Sequence, residues 1–381
     1  GHDALYGEDG EDVLVAGGAD DDLSGGLGDD TLIGSRGRNL LAWEPGNDIY
    51  RLGRLDQLSY AAAPAAGITV DRTTGEARIG LEVDRLFGSG IIIGSEGDDT
   101  LVGSRGYDVF HGGGGDDTLI GAGGNDTLVG GAGDDTLDGG GGRNTLVYHV
   151  GDGQDVQVAP PRGGAANTLQ VWLSPSGVAF AFTDGAADGT FSLVEGTAAP
   201  VTLGPAGRLE VLGTDVDDDV IIGTLPRDIR SVRADLGGGD DVLNTADSAT
   251  LVMAAGGAGD DRFVAGDGRE ILNGGDGSDA VTYEQASEGL YGSISGAMRD
   301  GGGSVDRLAT IESLTGTAGA DRLFGAGPES WIYGGEGNDV LVGRGGTSHL
   351  FGQGGDDTLI GGGWAARLAG GTEAQQQAVV G

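Results

Sequence analysis

Residues 112–138 read GGGGDDTLI, GAGGNDTLV and GGAGDDTLD, three consecutive copies of one nine-residue unit. So short a period constrains the fold more than any other feature, because one unit cannot bury an apolar face alone and must stack on its neighbours. Numbered from its first glycine, the unit places Asp117, Asp126 and Asp135 at position six and Leu119, Leu128 and Leu137 at position eight. Thr118-Leu119-Ile120 is strand-sized, and alternation sends the leucine to one side and its flanks to the other. Stacked copies therefore predict an internal leucine ladder. Glycine at positions one, two and four suits turns that need positive φ or close backbone approach.

The unit fits G-G-x-G-x-D-x-U-x, with U a large apolar residue, and resembles the calcium-binding nonapeptide of RTX (repeats-in-toxin) proteins. The resemblance implies an all-β chain of right-handed parallel β-roll (β-helix) blocks, with two units in each turn. It also implies calcium in the glycine turns between a repeat and the next but one, held by position-six carboxylates and backbone carbonyls. Oxygen-only coordination suits a hard cation.

Followed along the chain, the register defines four blocks: 1–51, 94–156, 237–282 and 316–369. Position six reads Asp3, Asp12, Asp21, Asp30, Asn39 and Asp48 in the first and Asp99, Asp108, Asp117, Asp126, Asp135 and Asn144 in the second. In the third, Asp241, Asp261 and Asp279 carry it, with Glu270 alone on the other edge. In the fourth, Asp321, Asp339 and Asp357 alternate with Ser330, Ser348 and Ala366 while position eight stays apolar, so this block is expected to bind metal along one edge only. By the resemblance these Asp and Asn residues are the expected ligands, for roughly eleven calcium ions.

Segments 52–93 and 283–315 break the period and read as β-rich spacers. They are related: DQLSY from residue 56 matches DAVTY from 279, and VDRL recurs at 83 and 305. The Asp and Arg of VDRL are read as a structural ion pair rather than as catalytic groups. Residues 157–236 alternate with period two and are read as a β-rich cap on the preceding block. TDVDDDVII (214–222) offers Asp215, Asp217 and Asp219 in D-x-D-x-D order but lacks the glycine and glutamate of an EF-hand, and reads as a solvated acidic turn. The tail, 370–381, is expected to be loosely ordered, and the opening in mid-repeat is expected to be an internal boundary of a longer protein.

The net charge of −39 excludes nucleic acid, which needs clustered positive charge. No run is long enough for a transmembrane helix, and without cysteine there is neither a disulfide nor thiolate chemistry. His2, His111, His149 and His349 are scattered, no H-E-x-x-H or G-x-S-x-G occurs, and the chain is read as not an enzyme. Two carboxylates ~5 Å apart repel by ~0.8 kcal/mol even in water, so metal binding and folding are expected to be one process. The leading reading is a structural module of a secreted or cell-surface protein, extracellular and exported by type I secretion machinery. The alternatives are a glycan-binding module on 157–236, or a polysaccharide-acting β-helix enzyme; a surface glycan or protein partner stays open.

Overall fold

The computed structural model describes residues 1–157, 167–174, 179–184, 191–196, 201–203, 206–286, 289–300, 302–362, 366–370 and 377–380. Among them there is no helix; the elements are short strands, many of three or four residues. The chain forms two units, residues 1–172 with 202–207, and residues 173–201 with 208–381.

The first unit is built on two stacks of parallel strands that alternate along the sequence. In one, Leu5, Leu23, Leu41 and Leu58 lie in register, followed by Ile92, Phe110, Leu128, Leu146 and Leu169. In the other, Leu101, Leu119 and Leu137 lie in register, as do Leu14, Leu32 and Tyr50. Within a block the partners are eighteen residues apart, as Thr118 with Thr136, which is two nonapeptides per turn. The position-eight side chains are the core: Leu101, Phe110, Leu119, Leu128 and Leu137 are fully buried. Burying each contributes roughly 1.5–3 kcal/mol. The fold is a parallel β-roll.

The two spacers are one device used twice. Glu82–Gly88 lies parallel on Ile49–Leu52, turns back antiparallel as Glu76–Ile79 pairs with it, and Thr69–Asp71 then runs parallel to Thr100–Val102. In the second unit, Val305–Ala309 lies parallel on Glu270–Asp276, Gly296–Arg299 and Tyr291–Ser293 reverse the direction twice, and Tyr291–Ser293 runs parallel to Arg322–Phe324. Three strands with two antiparallel steps thus join one run of parallel rungs to the next.

In the region read as a cap, Thr168–Trp172 is a further parallel rung on Thr145–His149. Within the second unit, Arg208–Thr214 pairs parallel with Ser231–Gly238, and Phe180–Asp184 forms an antiparallel hairpin with Phe191–Glu195 while lying parallel on Asp219–Ile222. Residues 158–166 and other parts of that region lie outside the described residues, as do 371–376 and 381 of the tail. The remainder of the tail, Gln377–Val380, pairs in parallel with Thr358–Gly361 instead of hanging loose.

Candidate metal centre

Many rungs begin with two adjacent acids or amides, as at Asp98-Asp99 and Asp116-Asp117, and the structure uses them in opposite directions. The position-six Oδ1 accepts the backbone N–H of the position-six residue one turn earlier. Asp99 N donates to Asp117 at 2.7 Å, Asp108 to Asp126 at 2.9 Å, and Asp117 to Asp135 at 2.8 Å. The position-five Oδ1 accepts from one turn later: Asp116 N donates to Asp98 and Asp134 N to Asp116, both at 2.9 Å. The inner row is buried and the outer row exposed.

At eleven inner aspartates this arrangement leaves the second carboxylate oxygen stranded. Oδ2 of Asp12, Asp21, Asp30, Asp117, Asp126, Asp135, Asp241, Asp261, Asp279, Asp339 and Asp357 is buried without a hydrogen-bond partner. A buried polar atom left so costs about 1–3 kcal/mol, and more when charged. Most of those oxygens face a position-one glycine, whereas Ala16 and Leu236 take that place before Asp21 and Asp241. A Cβ on Gly121 would meet Asp126 Oδ2 at 2.6 Å and the carbonyl oxygen of Gly139, one turn on, at 2.9 Å. Gly112 faces Asp117 Oδ2 and the Gly130 carbonyl, and Gly334 faces Asp339 Oδ2 and the Gly352 carbonyl in the same way. At these turns the glycine leaves open a cradle in which a carboxylate oxygen and a carbonyl oxygen converge. Such a donor set fits a calcium ion. Among the described residues no three acidic or imidazole side chains gather around one point, so further ligands at each turn fall to backbone carbonyls.

Burial also raises the proton affinity of this row. It pushes Asp117 up to about 8, with the Asp99 and Asp135 charges adding to the effect, and Asp241 and Asp339 to about 7. Asp126, Asp135 and Asp279 rise to about 6, again chiefly through burial.

Not every expected ligand is stranded. Asn39 and Asn144 continue the ladder, accepting from Asp21 at 3.0 Å and Asp126 at 2.8 Å. Their second atom is therefore an amide nitrogen, which donates to the position-one carbonyls of Gly34 and Gly139. The structure thus places a donor where the aspartates present an acceptor. A hydroxyl or amide at position two satisfies other carboxylates. Ser95 N donates to Asp99 Oδ2 at 2.6 Å and Ser104 N to Asp108 Oδ2 at 2.7 Å, and Thr317 N donates to Asp321 Oδ2 at 2.7 Å. Asp48 Oδ2 accepts from the Tyr50 hydroxyl at 3.1 Å. Asp3 lies exposed on the first rung.

Glu270 is completely buried against the Asp306 carboxylate, its proton affinity raised by burial and by that neighbour, while Ser330 and Ser348 face each other with hydroxyls 3.3 Å apart. Asp215, Asp217 and Asp219 are exposed as expected, but Asp218 between them is buried and occupies the inner row, its N–H donating to Asp241 at 2.8 Å.

Asp56, Asp84, Asp155, Asn167 and Asp306 also stand in the inner row, accepting from Asn39, Asp48, Asp135, Asn144 and Glu270. Nonapeptide register misses them because their glycines are absent or displaced. The surviving signal is acid or amide, any residue, then the buried ladder residue: Asp56-x-Leu58, Asp84-x-Leu86, Asn167-x-Leu169, Asp306-x-Leu308. The VDRL carboxylates are consequently not ion-paired to their arginines. Neighbours on a strand face opposite sides: Asp84 points inward to the Tyr60 hydroxyl at 3.1 Å and Asp306 to that of Tyr283 at 2.9 Å, whereas Arg85 points outward to Glu76.

A model of the RTX calcium-binding nonapeptide repeat matches residues 6–41, 24–54, 93–128, 120–155, 254–281, 308–327 and 331–363, together about half of the chain. No curated protein matches it.

Proposed function

Since the chain belongs to the family of RTX calcium-binding nonapeptide repeats, and is thus a calcium-binding repeat region, we propose that its role is structural: it folds on binding calcium after export and then serves as a stable extension. The supporting observation is the row of buried, unpartnered Oδ2 atoms, those of Asp12, Asp117, Asp126, Asp261 and Asp339 beside a glycine carbonyl of the next turn. A fold that strands so many carboxylate oxygens is unfavourable until a cation bridges them, so ion binding supplies folding free energy. Extracellular calcium modules work at about 10⁻⁴–10⁻³ M. In a calcium-poor cytoplasm most of the chain stays unfolded and threadable, and in calcium-rich surroundings it folds. This is the sense in which we place it at the cell surface or in the medium, delivered by type I secretion machinery.

In this reading the chain is not an enzyme, because its regularly placed carboxylates act as ligands and ladder acceptors. The ion count is about eleven, one for each position-six aspartate with a stranded Oδ2. Calorimetric titration with calcium alongside circular dichroism tests the proposal: β-structure should be largely absent in excess chelator and appear with ion uptake. Full β-structure in chelator would refute it.

A further inference from the structure

The second block starts differently from the rungs that follow. Asp117, Asp126 and Asp135 each strand an oxygen, but Asp99 and Asp108, the first two carboxylates, strand none. Asp99 accepts from Ile68 N at 2.7 Å, Ser95 N at 2.6 Å and Ser95 Oγ at 2.8 Å. Asp108 Oδ2 accepts from Ser104 N at 2.7 Å and Ser104 Oγ at 3.0 Å. Its Oδ1 faces a cation. Arg72, carried by the turn after Thr69–Asp71, lies with Nε 3.6 Å from Asp108 Oδ1, and both side chains are almost completely buried, 4% and 2% exposed. The same guanidinium donates from Nη1 to the Gly88 carbonyl at 2.6 Å and from Nη2 to the Gly90 carbonyl.

One position-six carboxylate and two glycine carbonyls are the kind of oxygens the calcium turns present. Here a covalently attached cation already holds them. We infer that Arg72 is a tethered cation standing in for calcium at the head of the second block, so that its first turn is ordered before any metal binds and templates the turns that follow. The inference rests on calcium-coupled folding as proposed above. A planar guanidinium suits the seat because its fork reaches several acceptors at once and keeps its charge on burial. The spacer that carries it gains a purpose: it delivers a fixed positive charge to the edge where the row of carboxylates restarts. The second spacer does not repeat the device, since the position matching Arg72 by the VDRL alignment is Ile294, which is buried.

The test compares the full chain with Arg72→Gln and with Arg105→Gln, an exposed arginine of the same block. The readouts are hydrogen exchange of the Ile91–Ile93 amides in excess chelator and the number of calcium ions bound at saturation. Wild type and Arg105→Gln should keep those amides protected in chelator. Arg72→Gln should lose at least tenfold in protection and bind one more ion, as calcium takes the vacated seat. Equal protection in the two variants, or an unchanged or lower ion count in Arg72→Gln, overturns the inference. Should Arg72→Gln fail to fold even in calcium, Arg72→Lys keeps the charge: retained protection supports a tethered cation, and lost protection overturns it. If wild type shows no calcium-driven folding, the proposed function fails instead.

Discussion

The backbone amide of Asp117 donates to Asp135 Oδ1 at 2.8 Å, while the second oxygen of the Asp135 carboxylate, equally buried, meets no donor. Stacking and metal binding are thus assigned to different atoms of one side chain. Asp135→Asn should separate them. Its Oδ1 still accepts from Asp117, and its amide donates to the Gly130 carbonyl as Asn144 does to Gly139 at 2.7 Å. The variant is expected to bind at least one calcium ion fewer and to gain about 1–3 kcal/mol of stability without metal, the cost of the unpaired atom it removes. Calorimetric stoichiometry and the β-structure that remains in chelator, read by circular dichroism, measure the two effects. An unchanged ion count would contradict the assignment.

Protons should partly replace calcium. Asp117 is raised to about 8, Asp241 and Asp339 to about 7, and Asp126 and Asp135 to about 6, against about 3.9 in an unfolded chain. A group raised on folding stabilises the fold fully below its unfolded value, and that contribution is lost as pH rises through the folded value. The metal-free roll should therefore gain β-structure as pH falls from about 8 towards 5. Over the same range calcium should bind more weakly, because it competes with protons for the carboxylates. Circular dichroism against pH, with and without chelator, checks both signs; metal-free β-structure that increases with pH would refute them.

What the repeat announced and what it concealed divide along the same atoms. The leucine ladder and the position-six row are legible because both recur at a fixed offset from glycine. The inner-row members Asp84 and Asp306 are not, because their rungs are reached through two antiparallel reversals, and the glycines before them, Gly80 and Gly303, close hairpin turns instead of turns of the roll. Ile68 and Leu290 sit at the matching point of each spacer and contribute only an N–H, to Asp99 and Asp321, so their side chains carry no signal. The hydroxyls of Ser95, Ser104 and Thr317 look like ordinary turn residues until the carboxylates they cap are placed beside them. Arg72 was hidden for a stronger reason: its partner lies thirty-six residues away, on another rung.

The fourth block should hold its two edges by different means. Asp321, Asp339 and Asp357 continue the ladder on one edge, at 2.8 and 3.0 Å. On the other, where Ser330 and Ser348 replace carboxylates, the flanking positions carry rings. Trp331 stacks on His349 with centroids 3.9 Å apart, and Tyr333 on Phe351 at 4.8 Å. Each stacked pair contributes about 0.5–1.5 kcal/mol beyond its buried area, and stacking requires no ion. Trp331→Ala should lower thermal stability in saturating calcium by about that amount, without changing the ion count. The paired substitution Ser330→Asp and Ser348→Asp should raise the count by at least one. A Trp331→Ala variant that loses an ion would show that the rings support a metal turn instead.

The sharpest test of the cradle is a single methyl group. A Cβ on Gly112 would run into both Asp117 Oδ2 and the Gly130 carbonyl, the two oxygens assigned to one ion. Gly141, at position three of a repeat in the same block, would meet only the Ala122 carbonyl at 3.8 Å, an ordinary contact. Its φ also lies outside the left-handed region, so alanine adds no backbone strain there. Gly112→Ala should therefore bind fewer ions and require about tenfold more calcium to fold, whereas Gly141→Ala should match wild type in both. Alanine alone favours extended backbone at either site by a fraction of a kcal/mol, so the contrast isolates the cradle from any general effect of replacing glycine. Equal calcium requirements in the two variants would mean that position-one glycine serves only the turn, and that the ion is held elsewhere.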